Sequence, residues 1–406
     1  MRETRAVSRS DEAARFVIRM AEALHTLGTP AHRLEAALAR LARVVGVRAQ
    51  VFSSPTSLLL AFGEGPRQRT VLRRVEPGDV DLGKLVELDE ILDALEAGRI
   101  TLSMARRRVE VVVGAPPRHG PTQVLIAHAL ASAGAATMFG GSLAEVLAAV
   151  TVGCALGLLA DAFARSGHVG LFEPSAAMVA TLVAAALASV VPVRDHVVVL
   201  AGIIVLVPGL SFTVAMIELT TRHLMSGTAR LAGAGTVFVT IAFGVAVGRG
   251  AAAFIWERTP VDAPESLPMW ASFVALPIAA WAFSVLLKAR YRELGWIVLA
   301  AVAGFVSVRL TGLVLGSTMA SFAGALVVGL VANGFARLRD RPASVALTPG
   351  LLVLVPGSVG YRALDLFLAH DPAAGMQNAF EMVIAATSLV AGLLCANLVL
   401  SPRRSL

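Results

Sequence analysis

Ionisable side chains are scarce in the apolar part of this chain, so each one inside an apolar run is a candidate for chemistry. His128, Glu145, Asp161, Arg309 and Glu381 lie in such runs. A charged group at bilayer depth costs on the order of 3 kcal/mol or more and defaults to a functional role. A buried carboxyl group is easier to protonate and can carry a coupling proton, and an imidazole titrates near neutral pH. Glu145 and Glu381 lead as proton-coupling candidates, followed by His128 and Asp161. Asp161 and Arg309 sit near the ends of their runs, where long side chains snorkel to the interface.

A second set of candidates surrounds two near-identical segments, GIIVLVPG at Gly202–Gly209 and GLLVLVPG at Gly350–Gly357. Proline removes a backbone donor and clashes with the preceding turn, and glycine adds backbone freedom. Pro208-Gly209 and Pro356-Gly357 should each break a helix at membrane depth, which is tolerable only against protein or a water-lined cavity. The polar residues just beyond the breaks, Ser211, Thr213, Glu218, Ser358, Tyr361 and Asp365, suit a small zwitterionic substrate.

Other chemistries find little support. Cys154 and Cys395 lie in apolar runs with no disulfide or zinc spacing. No phosphate-binding glycine loop occurs, so neither cofactor nor metal is expected. His25, His32, Glu35 and Arg106-Arg107-Arg108 precede the apolar region. His32 and Glu35 share a helix face, but no nucleophile–base pair marks a catalytic residue.

These residues must be positioned by two different kinds of structure. Mean hydropathy is +0.74 and 16% of residues are charged, against about 25% in soluble domains. Of the 63 charged residues, 34 lie in residues 1–118. The net charge of +7 does not form a basic stripe with interleaved aromatics, which argues against nucleic-acid binding. The first residues lack a signal-like apolar core. We therefore expect a small cytoplasmic α+β domain over 1–118: helices over 11–45 interrupted at Gly28-Thr29-Pro30 with Thr29 as cap, strands at 47–53, 56–62 and 69–75, and helices at 82–95 and 103–113.

Beyond it the chain reads as a mainly α, polytopic membrane protein of about ten helices in two related halves, 119–255 and 256–406. The expected spans are 122–139, 143–163, 175–192, 197–215, 231–248, 269–287, 294–311, 312–335, 343–360 and 377–399. With the N-terminus inside, the short inner loops carry eleven Lys/Arg and the outer loops five. The VLVPG copies recur at an offset of 148, while GLLADAFAR at Gly157–Arg165 and GLVANGFAR at Gly329–Arg337 recur at 172. In a ten-span arrangement the VLVPG copies run in opposite directions and the other pair in the same direction. A miscounted span or a re-entrant segment would explain the conflict.

GTPAHRLEAAL, SSPTSLLLAF, RRVEPGDVDLGKL, FGGSLAEVLAA, LVPGLSFTVAMIEL, MSGTARL, GLVANGFARLRDRPASV and LVPGSVGYRAL follow one another along nearly the whole chain. In this order they resemble the threonine/serine exporter family. The resemblance implies a cytoplasmic N-terminal domain, about ten membrane helices, and export of threonine, serine or a similar small amino acid across a bacterial inner membrane by the proton motive force. It leaves homo-oligomerisation open. Export of small dicarboxylates such as succinate, or an anchored hydrolase built on the N-terminal domain, are the alternatives.

Overall fold

The computed structural model describes residues 2–76, 78–167, 169–256, 265–354 and 357–402. Helices α1 (Arg2–Thr26) and α2 (Ala31–Val44) lead into strands β1 (Ala49–Ser54), β2 (Ser57–Phe62) and β3 (Arg69–Arg74), then α3 (Leu82–Glu96) and α4 (Leu102–Gly114). The strands form one antiparallel sheet in the order β1-β2-β3. The apolar positions at spacings of three and four, Phe16, Met20, Leu24, Leu34, Leu38 and Leu41, fill the core with Leu58 and Leu60 of β2. Asp81 caps α3 by accepting from Lys84 N at 2.9 Å, as short polar side chains do at helix starts.

The expected elements are present, with α1 extending back to Arg2. The expected cap of α2 is not. Pro30 occupies the N-cap position without a side-chain bond, and Thr29 Oγ1 is buried without a hydrogen-bond partner among the described residues. The buried N–H of Ala31, which has no partner within α2, instead donates to Glu218, 187 residues away.

Among the described residues eleven further helices follow: α5 (Pro121–Met138), α6 (Leu143–Ser166), α7 (Phe172–Ala188), α8 (Asp195–Gly202), α9 (Gly209–Thr220), α10 (Leu224–Ile255), α11 (Met269–Leu286), α12 (Leu294–Arg339), α13 (Ser344–Leu352), α14 (Gly357–Leu368) and α15 (Pro372–Val399). Among the described residues, six helical segments are long and apolar enough to cross a membrane: α6, α10, α11, Tyr291–Arg339, Ser344–Leu368 and α15. Two shorter apolar helices are Phe172–Ala188 and Gly209–Thr220. Their buried faces are rich in alanine and glycine. Gly244, for example, lies so close to Pro174 that a Cβ would sit 2.2 Å from its carbonyl oxygen. Small residues at helix crossings are how membrane helices gain packing without a hydrophobic driving force.

The helix boundaries resolve the conflict in the repeat. Helix α5 shifted by 148 residues coincides with α11 at both ends, α9 coincides with α14, and α10 and α15 start at matching positions. Left-handed backbone recurs in the same register, at Gly140 and Lys288, at Arg222 and His370, and within one residue at Gly167 and Gly316. Gly316 breaks α12 into limbs over 294–315 and 317–339, the counterparts of α6 and α7. The echo at 172 is therefore no part of the repeat, because it pairs α6 with the counterpart of α7.

Counterpart helices run antiparallel. His119, before α5, bonds through Nε2 to the Ala289 carbonyl just past α11, at 3.1 Å. At the other end, Leu267 N donates to Gly141 O at 3.1 Å and Ser266 Oγ to Gly140 O at 2.7 Å. The second set of helices is an inverted copy of the first.

Candidate functional site

The two Pro-Gly breaks meet. Helix α8 stops at Gly202 and α9 starts at Gly209, with turn-like backbone between. The Gly202 carbonyl, freed by the break, accepts from Ser132 Oγ of α5 at 3.3 Å. A Cβ on Gly357 would lie 3.4 Å from Gly209 Cα and 2.8 Å from Val207 Cγ1. Repeat-equivalent backbones thus touch at the pseudo-twofold axis, and both glycines are buried. Pro356 lies outside the described residues. Breaks in corresponding positions of two halves are the strongest sequence pointer to a transporter's binding site, and here they face each other.

The flanking polar residues differ in availability. Thr213 is fully buried and its hydroxyl donates to the Gly209 carbonyl at 3.0 Å. Ser211 and Ser358 are half-buried beside the breaks. Tyr361 is 3% exposed, packs among Val207, Phe238 and Ile241, and its hydroxyl has no partner among the described residues. A buried hydroxyl without a partner costs about 1–3 kcal/mol, which makes it a ready donor for a substrate.

Glu218 and Asp365 sit at opposite ends of α10, as inversion requires. Fully buried Glu218 pairs with Arg230, at 3.1 Å to Nε and 3.2 Å to Nη2, and accepts from Ser226 Oγ at 2.9 Å and Ala31 N at 2.9 Å. Asp365 pairs with Arg249. Arg230 and Arg249 are 19 residues apart on one helix, about 28 Å at 1.5 Å per residue.

The Glu218 end is joined to the amino-terminal helices. His223 Nε2 lies 3.3 Å from Glu35 Oε2, and the His223 ring is 6.1 Å from that of His32. Glu35 also accepts from Ser53 N at 2.9 Å, and His25 Nε2 bonds to Ser54 O at 2.9 Å. Burial pushes His32 down to about 3, with the charges of Arg33, His223 and Arg230 acting the same way. Burial likewise lowers His25. Both imidazoles are therefore neutral at pH 7. The shared face of His32 and Glu35 was visible in the sequence, whereas His223, Ser226 and Arg230 were not singled out. Their signal was position: all follow Glu218 within one turn and the next helix.

The remaining ionisable candidates are dispersed. Glu145 is fully buried and accepts from Ser142 N (2.7 Å), Arg194 N (2.8 Å), Arg194 Nε (2.7 Å) and Arg194 Nη2 (2.7 Å). The Ser142 bond closes a capping box at the start of α6, and the Arg194 bonds tie it to the loop before α8. Asp161 pairs with Arg165 one turn on. Glu381 is exposed on the surface of α15 and accepts from Gln377 at 3.2 Å. His128 is buried in α5 against Gly153 and Gly157 of α6. Arg309 lies over the Phe305 ring at 5.6 Å. Among the described residues, no group of three or more His, Cys, Asp or Glu is arranged to hold a metal ion.

Comparison with known proteins agrees with this architecture. Residues 15–250 match a family model described as "Putative threonine/serine exporter" and residues 272–399 one described as "Threonine/Serine exporter, ThrE". "Pheromone-regulated membrane protein 10" of Eremothecium gossypii is 24% identical over 86% of this chain and 48% of its own length. The protein of that name in Saccharomyces cerevisiae is 22% identical over 92% of this chain and 50% of its own. The "Probable threonine/serine exporter" of Mycobacterium tuberculosis is 29% identical over 82% of this chain and 66% of its own. The chain spans about half the length of these fungal relatives. No solved structure matches it. With an inverted pair of helix sets, breaks in register and both sets matched by exporter models, this multi-pass membrane protein belongs to the threonine/serine exporter family.

Proposed function

We propose that this protein exports threonine, serine or a similar small amino acid, driven by the proton motive force, from a bacterial inner membrane. Ten crossings fit the fold: α8 with α9, and α13 with α14, each count as one broken crossing, and the limbs of α12 as two. Five crossings per set turn the second set upside down, in agreement with the antiparallel α5 and α11. Residues 1–118 then form a cytoplasmic domain, followed by halves at 119–255 and 256–406. The basic loops at Lys288–Arg290 and Arg341 lie beside that domain, whereas Arg194 lies in the loop before α8 and Arg249 near the far end of α10, in keeping with positive-inside charge.

The contact between Gly209 and Gly357 carries the reading. It puts two broken helices at one point inside the protein, where unwound backbone offers carbonyl and N–H groups to an ammonium and a carboxylate. Pro208, Gly209, Ser211, Thr213, Gly357, Ser358 and Tyr361 frame this point, with Glu218 and Asp365 at the far ends of their helices; Pro356 belongs to the same proposed set by sequence alone. Of the four proton-coupling candidates, His128 is buried without an arginine partner among the described residues and is the better placed carrier; Glu381 has no arginine partner among them either, but it lies exposed on α15. Glu145 and Asp161 already hold arginines.

Purified protein in liposomes should exchange radiolabelled threonine, and an imposed pH gradient should drive net flux. Flux of succinate without threonine or serine would overturn the assignment in favour of dicarboxylates.

A further inference from the structure

The amino-terminal domain touches both helix sets, and the two contacts differ in chemistry. Against the second set the seam is extensive. Leu82 N and Gly83 N donate to the carbonyls of Leu287 and Lys288 at 3.0 and 3.1 Å, as one backbone continuing into another. Leu82, Leu85 and Leu88 share one apolar core with Leu276, Ala280, Ala289 and Ile297. Arg290 reaches Glu87 at 3.2 Å and Glu90 at 3.1 Å, and Arg341 also pairs with Glu90. Apolar burial on this scale holds two bodies together.

Against the first set the contact is polar. Glu218 accepts from Ala31 N, the first free donor of α2, and His223 meets Glu35. An anion at a helix N-terminus is favourable through both the free N–H groups and the helix dipole. Such a contact is strong while dry and readily exchanged for water when parted. Glu218 also lies on α9, the short helix that begins at the break. Nine residues, about 14 Å of rigid helix, separate it from Gly209 at the axis.

We propose that the amino-terminal domain is the inner gate of the transporter, hinged on the second helix set and latched to the first by Glu218, which couples release of the latch to movement of the broken helix α9. This rests on the export reading above. Glu218 acts as a positioning residue: it transmits movement between α2 and Gly209 and does not itself need to touch substrate. The substrate at the axis tilts α9, the Glu218–Ala31 bond parts, and the domain swings on its apolar seam.

The test uses the full-length chain with Cys154 and Cys395 replaced by alanine, reconstituted in liposomes. His32→Cys and His223→Cys are combined and bridged with a short, reducible bis-thiosulfonate. Bridging should reduce threonine flux at least tenfold, and reductant should restore it. Each single variant treated alike should be unaffected. Bridged protein that transports at the unbridged rate overturns the gate. Should the paired variant be inactive before bridging, Ala31→Cys gives the second measurement. Its reaction with a polar maleimide should accelerate at least tenfold when threonine is added or when Glu218→Gln is present. Equal rates in all states overturn the latch, and slow labelling kept in Glu218→Asp but lost in Glu218→Gln supports it. An unmodified protein that moves no amino acid at all would reject the export reading instead, so the two failures are distinguishable.

Discussion

Gly209 and Gly357 are repeat equivalents 148 residues apart, and their backbones touch where the two halves meet. A twofold relationship allows equivalent residues to meet only on its axis, so this contact fixes where the axis runs. It also explains why position 357 needs glycine. A methyl group at 357 would sit at an ordinary 3.4 Å from Gly209 Cα but only 2.8 Å from Val207 Cγ1.

Gly357→Ala should therefore slow threonine flux about tenfold by wedging the breaks apart, as overpacking a tight contact does. Val207→Ala in the same chain removes the overlapping methyl and should recover most of the rate. Counterflow measured on the single and double variants decides it. A double variant no faster than Gly357→Ala would show that the clash lies elsewhere.

Glu145 and Arg194 should behave as one structural unit. Removing the carboxylate leaves a guanidinium and two backbone N–H groups without their acceptor, and breaking such a buried pair costs about 3–5 kcal/mol. Glu145→Ala and Arg194→Ala should each lower the thermal midpoint in detergent, and the double variant should lose clearly less than their sum. Additive losses would mean that the two groups do not depend on each other.

Glu145 also shows what a sequence withholds. Its placement one turn into an apolar run was legible, but the arginine that saturates it comes from a loop 49 residues on. The breaks were legible because proline and glycine act locally, and the small α+β unit because its apolar spacing is local too. Opposite directions for the VLVPG copies followed from the span count, but the second echo, at Gly157 and Gly329, argued against inversion, and the contacts of His119 with Ala289 and of Ser266 with Gly140 at the two ends of α5 and α11 decide it. The echo at Gly157 and Gly329 misled because helix ends packed against neighbours draw on the same small residues. His32 and Glu35 could be placed on one face, while His223, which completes the group, arrives from another part of the chain.

Stability of the docked domain should fall with acid through His32. Its pKa is about 3 when docked and about 6.5 when freed, so below pH 6.5 the freed form takes up a proton that the docked form refuses. The contribution is complete above pH 6.5 and declines as pH drops toward 3. Between pH 7 and 5.5 the loss is about 1 kcal/mol, and His25, also lowered by burial, adds in the same direction. The thermal midpoint should decline over this range, and His32→Gln should flatten the decline. An unchanged slope in the variant would remove His32 from the account.

Thr29 and Glu218 give opposite answers to the same substitution. In an ordinary helix start, losing the threonine cap costs about 1 kcal/mol. Here Thr29 Oγ1 is buried and bonded to nothing among the described residues, so Thr29→Ala removes an unsatisfied hydroxyl and should leave stability unchanged or slightly raised. The cap of α2 is Glu218, which also neutralises Arg230. Glu218→Ala strips both at once and should cost about 3 kcal/mol, the loss expected when a buried ion pair is broken. Hydrogen exchange at Ala31 gives the same contrast at one amide. It should be as slow in Thr29→Ala as in the parent chain and much faster in Glu218→Ala. Fast exchange in Thr29→Ala would restore the threonine as the cap and leave Glu218 with the arginine alone.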